Sequence, residues 1–365
     1  MTGSSIAEAS RPSDWTALVP TPESLALAAS ARDHFAKLGT RQLAREALAD
    51  ARTAESLWHS LVDAGYPQIG VPESRGGIGD AFDLTVLLEE AGRALLPAPL
   101  LTTCASIQLL LQAEPTEGEE VGHAHLAFGV GRGRVHGTRA HSEVLTVVDG
   151  HGATEYVIVL DDPGVDIHVV TVDPRATGVR STAKGADLDA SRSIVEIALD
   201  RAETTSVRTV PRTSVAELLS PVRMCIAADL LGVAAGALHD AIEHVQRRHQ
   251  FGRPLGAFQA VKHQLVEAYV SVEKTRSLVH GSALAVTDSP REHETTVLTT
   301  LALATALRTS IDVSGRYIQL LGAMGVTFES DAHLYLRRAH QTAQATGSAA
   351  ALFAQAAALQ RSTHV

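Results

Sequence analysis

The residue pattern of this chain changes twice along its length, and these changes restrict the fold more than any other feature. Between about residues 117 and 205 the sequence contains short β-branched runs separated by Gly, Asp and Pro, namely VLTVVDG, EYVIVLDD, DIHVVTVD and RSIVEIALD. Such runs predict the antiparallel strands of a small sheet. On both sides of this region, apolar residues recur at helical spacing. The expected order is therefore helices, strands, helices.

These changes in pattern set the domain boundaries that we expect. Residues 1–20, rich in Ser, Pro and Thr, form a loose amino-terminal arm; residues 21–116 form a helical domain, residues 117–205 a β-domain and residues 206–365 a helical bundle. Hydrophobic residues make up 45% of the chain but aromatic residues only 4%, and the excess of Ala and Leu favours packed helices. The predicted fold is mainly α with a central β-domain.

Composition and spacing also exclude several classes of function. The formal net charge of −10 and the lack of a long basic run argue against a nucleic-acid partner. Cys104 and Cys225 belong to no CxxC pair and the 17 histidines are scattered, so neither a disulfide scaffold nor a metal site is expected. Residues 1–20 lack the pattern of a secretion signal, and the apolar segment Met224–Leu238, which contains Asp229, is too short to cross a membrane. We expect a cytoplasmic protein.

A glycine-rich stretch at residues 129–137, GVGRGRVHG, is similar to a dinucleotide-binding loop. In that motif a helix follows the glycines, because the phosphates bind at the amino terminus of the helix. Here the strand-like run VLTVVDG follows instead. A Rossmann-type nucleotide site is therefore not expected at this point of the chain.

A second unusual stretch, RRHQFGRPLGAFQAVKH at residues 247–263, interrupts two long helical segments. Cations at the end of a helix suit the negative end of its dipole, which would be a purely structural role. However, Gly252 and Pro254 define a turn, and Gln259 lies where the next helix begins. An arginine such as Arg248, free backbone N–H groups and a carboxamide around one turn can form a cradle for a pyrophosphate.

The run R-x-x-F-G-R-P-x-x-x-F-Q-A-x-x-H within this stretch resembles the signature of the acyl-CoA dehydrogenase flavoproteins. The segment WHSLVDAGYPQIGVPESRGGIGDAFDLTVLLEEAGRAL is similar to the amino-terminal helices of that family and their Pro-Glu-x-x-Gly-Gly-x-Gly loop. The segment YIQLLGAMGVTFESDAHLYLRRA is similar to the late segment usually written Gln-x-x-Gly-Gly-x-Gly. The resemblance covers nearly the whole chain. It implies an amino-terminal helical domain, a middle β-sheet domain and a carboxy-terminal four-helix bundle.

The resemblance also implies a cofactor, a reaction and partners. Members of the family use FAD to desaturate the α,β bond of an acyl-CoA thioester, pass the electrons to an electron-transfer acceptor, and bind FAD across a subunit interface. A similar chain is therefore expected to form an even-numbered oligomer. Ala323 stands where the family usually has a glycine, which restricts the backbone without forbidding its close approach to a ligand. Carried over by position, the residues that would contact FAD are Arg248, Phe251, Gln259, Gln319, Gly322 and Ala323.

The general base of the family is the point at which this sequence departs most. The two positions at which members carry a catalytic glutamate hold Thr346 and Val222 here, and threonine cannot act as this base near neutral pH. Arg223, which follows Val222, is a candidate contact for the substrate. Asp229 is the only carboxylate in the apolar segment Met224–Leu238 and lies two helical turns after Val222, so it is the third candidate for the base. The alternative is a structural carboxylate satisfied by a neighbouring arginine or a helix amino terminus.

The predicted β-domain departs from the family as well. Members usually show a Glu-Pro-x-x-Gly-Ser-Asp segment that meets the flavin ring and the thioester, whereas this chain has LAFGVGRGRVHG. The β-domain segment that would hold the chain's own flavin has thus diverged, while the motif at residues 247–263 that would reach a neighbour's FAD is intact. This asymmetry resembles the degenerate subunit of the heteromeric, α2β2 acyl-CoA dehydrogenases that degrade steroid side chains.

Three other interpretations of the sequence stay open. The chain could form a homo-oligomer and act alone, with Asp229 as its base. It could also be a family member with other flavin chemistry, such as a biosynthetic oxidase or monooxygenase. Finally, it could be a flavin-free scaffold subunit, although the intact Arg248, Phe251 and Gln259 argue against that role.

Overall fold

The computed structural model shows the expected order of helices, strands and helices. The predicted amino-terminal arm at residues 1–20 lies almost entirely outside the described residues. The structure describes residues 18–47, 55–113, 124–163, 166–183, 188–288 and 293–362.

The amino-terminal region is helical, and local capping explains where its helices begin. Thr21 caps the first helix by accepting a hydrogen bond from the backbone N–H of Ser24 at 3.2 Å. Asp80 caps the fourth in the same way, accepting from the N–H of Phe82 at 2.8 Å. Within the predicted helical domain, one helix ends just before residues 48–54, which lie outside the described part, and another begins just after them. The helices are α1 (Pro22–Lys37), α2 (Thr40–Glu46), α3 (Glu55–Asp63), α4 (Ala81–Arg93) and α5 (Leu100–Ala113).

Within the described residues, seven strands form one mixed sheet in the order β5-β6-β2-β1-β3-β4-β7. The expectation of antiparallel strands is wrong for one pair, since β1 and β3 are parallel. The reason is the connection at residues 149–154, which carries the chain from β2 across β1 to the far edge of β1. The strands are β1 (Leu126–His136), β2 (Arg139–Val148), β3 (Glu155–Asp161), β4 (Ile167–Val172), β5 (Val179–Ala183), β6 (Ile194–Glu203) and β7 (Ser206–Val210).

The glycine-rich stretch at residues 129–137 lies in β1 and in the turn that follows it, not in a loop before a helix. Its glycines allow β1 to pack closely on the neighbouring strands. A Cβ atom at Gly131 would lie 2.8 Å from the Cβ of Leu145, and one at Gly133 would lie 2.6 Å from the carbonyl oxygen of His141. These glycines therefore serve strand packing, and the chain has no nucleotide-binding turn here.

The carboxy-terminal region is a helical bundle around one buried helix, α7. The backbones of α4 and α7 pack closely against each other at Gly232, which has no side chain. A Cβ at Gly232 would lie only 1.9 Å from the carbonyl oxygen of Glu89. A two-stranded hairpin separates α7 from α8. The elements are α6 (Val215–Leu218), α7 (Ser220–Arg247), β8 (His249–Gln250), β9 (Arg253–Pro254), α8 (Gln259–Asp288), α9 (His293–Leu321), α10 (Ala332–Thr346) and α11 (Ala349–Ser362).

The helical stretch that contains the apolar segment Met224–Leu238 extends over Arg212–Arg247 and is, by length and composition, long and apolar enough to cross a membrane. However, 89% of its apolar window is buried inside the fold. Burial by the surrounding helices is what the central helix of a bundle requires. The length of this helix is thus explained by its place in the core.

Candidate functional site

A cavity of about 440 Å³ lies where the sheet meets the two helical regions. An apolar pocket with a few converging polar groups is the usual form of a small-molecule site. Its apolar lining residues include Leu101, Ala105, Phe128, Leu145, Ile194 and Ile226. Its polar lining residues include Thr102, Thr146, Asp189, Arg192, Arg338, Gln341 and Thr346.

One side of the cavity is closed by an ion pair between the β-domain and the bundle. The Nη2 atom of Arg192, just before β6, donates to Oδ1 of Asp229, on α7, at 2.7 Å. Both side chains are buried, with 5% of Arg192 and 1% of Asp229 exposed. A second carboxylate, that of Asp149, lies 3.8 Å from Nη1 of Arg192. Arg192 therefore connects the sheet electrostatically to the central helix.

A second buried arginine, Arg338 on α10, lies beside the first. Its Nε atom donates to Oδ2 of Asp189 at 2.9 Å, and only 1% of the residue is exposed. Gln341 fixes the same segment, since its Oε1 accepts from the N–H of Asp189 at 2.7 Å and its Nε2 donates to the carbonyl of Arg192 at 3.0 Å. We call Asp189, Arg192, Arg338 and Gln341 the arginine floor of the cavity.

The charges of the arginine floor are coupled. Burial tends to raise the pKa of Asp189, but Arg338, Ser191 and Arg192 together hold the pKa below its ordinary value. Burial prevails at Asp149 and raises the pKa of that carboxyl, although Arg192 opposes the shift. Burial tends to lower the pKa of Arg192, but Asp229 and the other two carboxylates raise it above its usual range. Both arginine side chains thus have carboxylate partners and neither needs a ligand for charge balance.

The carboxylate of Asp229 has an arginine partner, which is the contact that the structural alternative requires. Its carboxylate accepts from Arg192, and the residue is not among those that line the cavity. Of the described residues that do line it, only Asp189 carries a carboxylate, and this group already accepts from Arg338 and Ser191. An engaged carboxylate with a lowered pKa is a poor proton acceptor.

The two positions at which a glutamate is expected in the family lie in different surroundings. Thr346, at the end of α10, lines the cavity, and its hydroxyl donates to the carbonyl oxygen of Thr342 at 2.8 Å. Val222 is buried in the first turn of α7 and does not line the cavity. Arg223 beside it donates to the carbonyl oxygen of Ala216 at 2.6 Å, and burial lowers its pKa to about 10. Arg223 therefore supports the α6–α7 corner, outside the cavity.

The residues expected to contact FAD form a separate, exposed surface. Arg247 and Arg248, which end α7, differ in their surroundings: Arg247 pairs with Glu243 at 3.1 Å, whereas Arg248 has no ion-pair partner among the described residues. A purely structural role at the end of the helix therefore explains Arg247 but not Arg248. Phe251 lies at the tip of the β8–β9 hairpin, 91% exposed, with a left-handed backbone (φ 52°). An exposed aromatic residue held in this rare conformation suits a contact with a ligand or partner.

The rest of this surface comes from the following helices. Gln259 begins α8 and is exposed, and Gln319 is exposed near the end of α9. Gly322 ends α9 with a left-handed backbone (φ 63°), and nothing lies within 4 Å of where its Cβ would be. Ala323, which follows it, is exposed as well. We call Arg248, Phe251, Gln259, Gln319, Gly322 and Ala323 the clamp surface; none of them lines the cavity.

The clamp surface fits part of a nucleotide cofactor. A guanidinium, two carboxamides and an open glycine turn can bind phosphate oxygens and approach a flat ligand closely. Beside the turn, the guanidinium carbon of Arg253 lies 4.0 Å from the ring centroid of Phe258, which stiffens the start of α8. These are residues through which the chain could hold FAD.

Sequence reasoning did not find the arginine floor. One signal was available, since Arg338 and Gln341 lie on the same buried face of α10 as Leu334 and Tyr335. A charged residue on an apolar helix face indicates a buried ion pair or a site. No comparable pattern surrounds Arg192, whose segment reads as an ordinary strand entry.

Comparison with known proteins shows which family models and proteins this chain is similar to. The family models described as "Acyl-CoA dehydrogenase, N-terminal domain" and "Acyl-CoA dehydrogenase, C-terminal domain" match residues 21–114 and 213–360. Acyl-CoA dehydrogenase IpdE2 of Mycobacterium tuberculosis is 32% identical over 295 residues, which are 80% of this chain and 82% of that protein. Acyl-CoA dehydrogenase FadE27 of the same organism is 27% identical over 338 residues, 82% and 86% of the two chains.

Solved structures show the same fold over nearly the full length. A variant of the Tcur3481-Tcur3483 steroid ACAD superposes with a TM-score of 0.81 at 26% identity, covering 94% of this chain and 98% of that one. A chain of the ChsE4-ChsE5 complex from Mycobacterium tuberculosis gives a TM-score of 0.79 at 24% identity, covering 93% and 97%. The expected arrangement of two helical regions around a central sheet is confirmed.

Proposed function

Because the chain belongs to the acyl-CoA dehydrogenase family, oxidoreductases that act on CH–CH donors, we propose that it is a subunit that completes the FAD site of a partner subunit. In this proposal the chain lacks a usual catalytic carboxylate of its own, and the partner supplies the base. FAD, when bound, supplies the electron-accepting ring for α,β-desaturation of an acyl-CoA thioester.

The observation that carries this proposal is the clamp surface. Arg248 has no counterion in the described part of its own chain, Phe251 stands 91% exposed, and the turn at Gly322 is open. A chain does not stabilise itself by leaving an arginine unpaired beside an exposed aromatic ring. Both features gain partners if FAD from a neighbouring subunit lies across this surface. Arg248 would then bind a phosphate oxygen, and Gln259 a further polar atom of the cofactor.

The cavity supports the second half of the proposal. Thr346 lines the cavity with a hydroxyl that is not basic near neutral pH. Asp189 faces the cavity but is held by Arg338, and Asp229 is held by Arg192. Proton abstraction by either carboxylate would first require the loss of a buried ion pair. The arrangement therefore favours a subunit that leaves the base to its partner.

Exposed apolar residues support a partner of the same family. Val266, Tyr269 and Val270 are exposed on α8, which begins at the clamp surface. Val326 and Phe328 are exposed just after α9, beside Gly322. Large apolar side chains grouped around a site mark a protein interface. We propose a homologous acyl-CoA dehydrogenase subunit in an α2β2 assembly, and the Tcur3481-Tcur3483 steroid ACAD and the ChsE4-ChsE5 complex among the structural neighbours support it.

The substrate and the cellular setting complete the proposal. The steroid ACAD among the structural neighbours supports an acyl-CoA with a polycyclic acyl group as the substrate. We propose that the reaction takes place in the cytoplasm and that the electrons pass to an electron-transfer acceptor. The self-sufficient alternative, with Asp229 as base, requires that Asp229 leave Arg192. A member with oxidase or monooxygenase chemistry, or a flavin-free scaffold, would differ in its products or its colour.

The test compares the chain expressed alone with the chain coexpressed with the neighbouring gene's product. We expect the coexpressed pair to co-purify, to contain FAD, and to be bleached by acyl-CoA without oxygen. The chain alone should show no bleaching. Full acyl-CoA-dependent bleaching of the lone chain would refute the proposal and favour Asp229 as base. A coexpressed complex without flavin would favour the scaffold.

A further inference from the structure

Three buried guanidinium nitrogen atoms in the arginine floor lack an acceptor. Among the residues that the structure describes, no hydrogen-bond partner lies at Nε or Nη1 of Arg192, or at Nη1 of Arg338. Both arginines line the cavity, and neither can turn towards solvent because Asp229 and Asp189 hold their other nitrogen atoms. Buried donors without acceptors are costly, so such a group calls for a partner. A ligand in the cavity could supply an acceptor for these N–H groups.

The charges decide what kind of acceptor fits. The two guanidinium groups face three carboxyl groups, those of Asp149, Asp189 and Asp229. Even with Asp149 protonated, the cluster carries no positive charge in excess. A second anion would therefore be repelled or, at best, gain little. A neutral oxygen can accept from the free N–H groups without upsetting this balance.

The other lining residues and the volume of the cavity indicate the size and polarity of the rest of the ligand. Much of the rest of the lining is apolar and includes Leu101, Phe128 and Leu145. A volume of about 440 Å³ accepts a fused ring system. We propose that this cavity binds an apolar ring system that carries a neutral carbonyl oxygen, which accepts hydrogen bonds from Arg192 and Arg338. A ketone on a polycyclic acyl group and a ring carbonyl of a flavin share this chemistry.

This inference concerns the cavity of the chain itself and does not depend on the clamp surface. Asp229 is then a positioning residue, because its bond to Nη2 of Arg192 leaves Nε and Nη1 free for the ligand. Loss of the clamp surface would weaken FAD binding in the partner's site, whereas the preference of the cavity for a carbonyl would stay intact. The two proposals can therefore fail separately.

The test uses three probes of similar shape with the full chain, alone and in its complex. They are 2-acetonaphthone with a neutral carbonyl, 2-naphthoate with a carboxylate, and 2-ethylnaphthalene with no oxygen, each titrated by calorimetry or fluorescence. We expect 2-acetonaphthone to bind roughly tenfold more tightly than either other probe, the effect of one hydrogen bond from a charged donor. Equal binding of 2-acetonaphthone and 2-ethylnaphthalene would overturn the proposal, since hydrated donors confer no carbonyl preference. Tightest binding of 2-naphthoate would overturn the neutral acceptor.

Variants then assign the preference to Arg192. Arg192→Lys keeps a cation for Asp229 but removes the forked donors, so the advantage of 2-acetonaphthone should disappear. The matched control is Arg276→Lys, which makes the same change in the Arg276–Glu89 pair at 2.8 Å outside the cavity and should keep the advantage. An unchanged preference in a folded Arg192→Lys protein would overturn the assignment. If Arg192→Lys does not fold, the wild-type probe series still decides the proposal, and Arg338→Lys replaces the variant.

A competition experiment with lumiflavin shows whether the natural carbonyl belongs to a flavin ring or to an acyl group. Lumiflavin that displaces 2-acetonaphthone and loses affinity in Arg192→Lys identifies a flavin ring carbonyl as the natural acceptor. Lumiflavin that is indifferent to Arg192→Lys identifies the ketone of an acyl group. Neither lumiflavin result requires acyl-CoA turnover.

Discussion

Replacing Arg248 with alanine separates FAD binding from folding, because the structure gives this side chain no described ion-pair partner in its own chain. Its side chain is exposed at the end of α7, so its removal creates no cavity and leaves no buried charge unpaired. Surface changes of this kind alter the free energy of unfolding by no more than about 0.5 kcal/mol. Any larger effect on the complex must come from a bound molecule.

The expected loss follows from the bond that Arg248 would make. A charge-assisted hydrogen bond to a phosphate oxygen contributes about 1.5–3 kcal/mol, so FAD affinity should fall roughly ten- to 150-fold. Gln259→Ala removes a neutral donor and should cost less, about 0.5–1.5 kcal/mol. In the double variant FAD should be largely lost on gel filtration, while the subunits stay associated.

The assay measures the FAD content of the purified complex by absorbance and the dissociation constant by titration of apoprotein. Arg247→Ala is the matched control, since this neighbouring arginine pairs with Glu243 on the same helix. Loss of that exposed pair costs about 0.3–0.5 kcal/mol of stability and should leave FAD bound. Full retention of FAD by the Arg248→Ala/Gln259→Ala complex, or equal loss in Arg247→Ala, would refute this location of the cofactor.

Three further predictions address the base, the assembly and the buried carboxyl groups. Asp229→Asn, which keeps an oxygen acceptor for Arg192, should not abolish acyl-CoA bleaching of the coexpressed complex, whereas Asp229→Ala should destabilise the fold by about 3–5 kcal/mol in urea titrations, because Arg192 then stays buried with neither a counterion nor an acceptor at this position. Light scattering should show an even-numbered assembly, and a stable flavin-loaded monomer would contradict the interface that we propose around the clamp surface. Burial raises the pKa of Asp149, so the folded protein binds a proton more tightly than the unfolded chain and stability falls as pH rises from the unfolded pKa through the raised folded pKa. Asp149→Asn should remove this decline and stabilise the protein at pH 7, and an unchanged pH profile of urea unfolding would show that Asp149 ionises normally.

Sequence patterns alone determined the order of the regions, and the family resemblance predicts which residues form the clamp surface. The helical and strand-like regions follow from local periodicity, which depends on neighbours within a few positions. The clamp motif is likewise compact in sequence, since Arg248, Phe251 and Gln259 lie within one break between two helices. The resemblance also predicts that Val222 and Thr346 occupy the two positions at which the family carries its glutamate.

Tertiary structure decided the direction of the strands and the partners of the buried charges. The parallel pairing of β1 and β3 depends on how a short connection crosses the sheet, which strand composition does not encode. Periodicity marks Asp229 as an isolated carboxylate but cannot show which side chain reaches it.

Arg192, 37 residues away along the chain, becomes its partner only when the sheet packs on α7. Arg338 joins the same cavity from α10, with Asp189 149 residues away in sequence. Local sequence therefore determined which residues favour helix, strand or turn. The tertiary structure decided which charged side chains form pairs. The energy of a buried ion pair depends on distance in space and on the exclusion of water, and the neighbouring residues in the sequence determine neither.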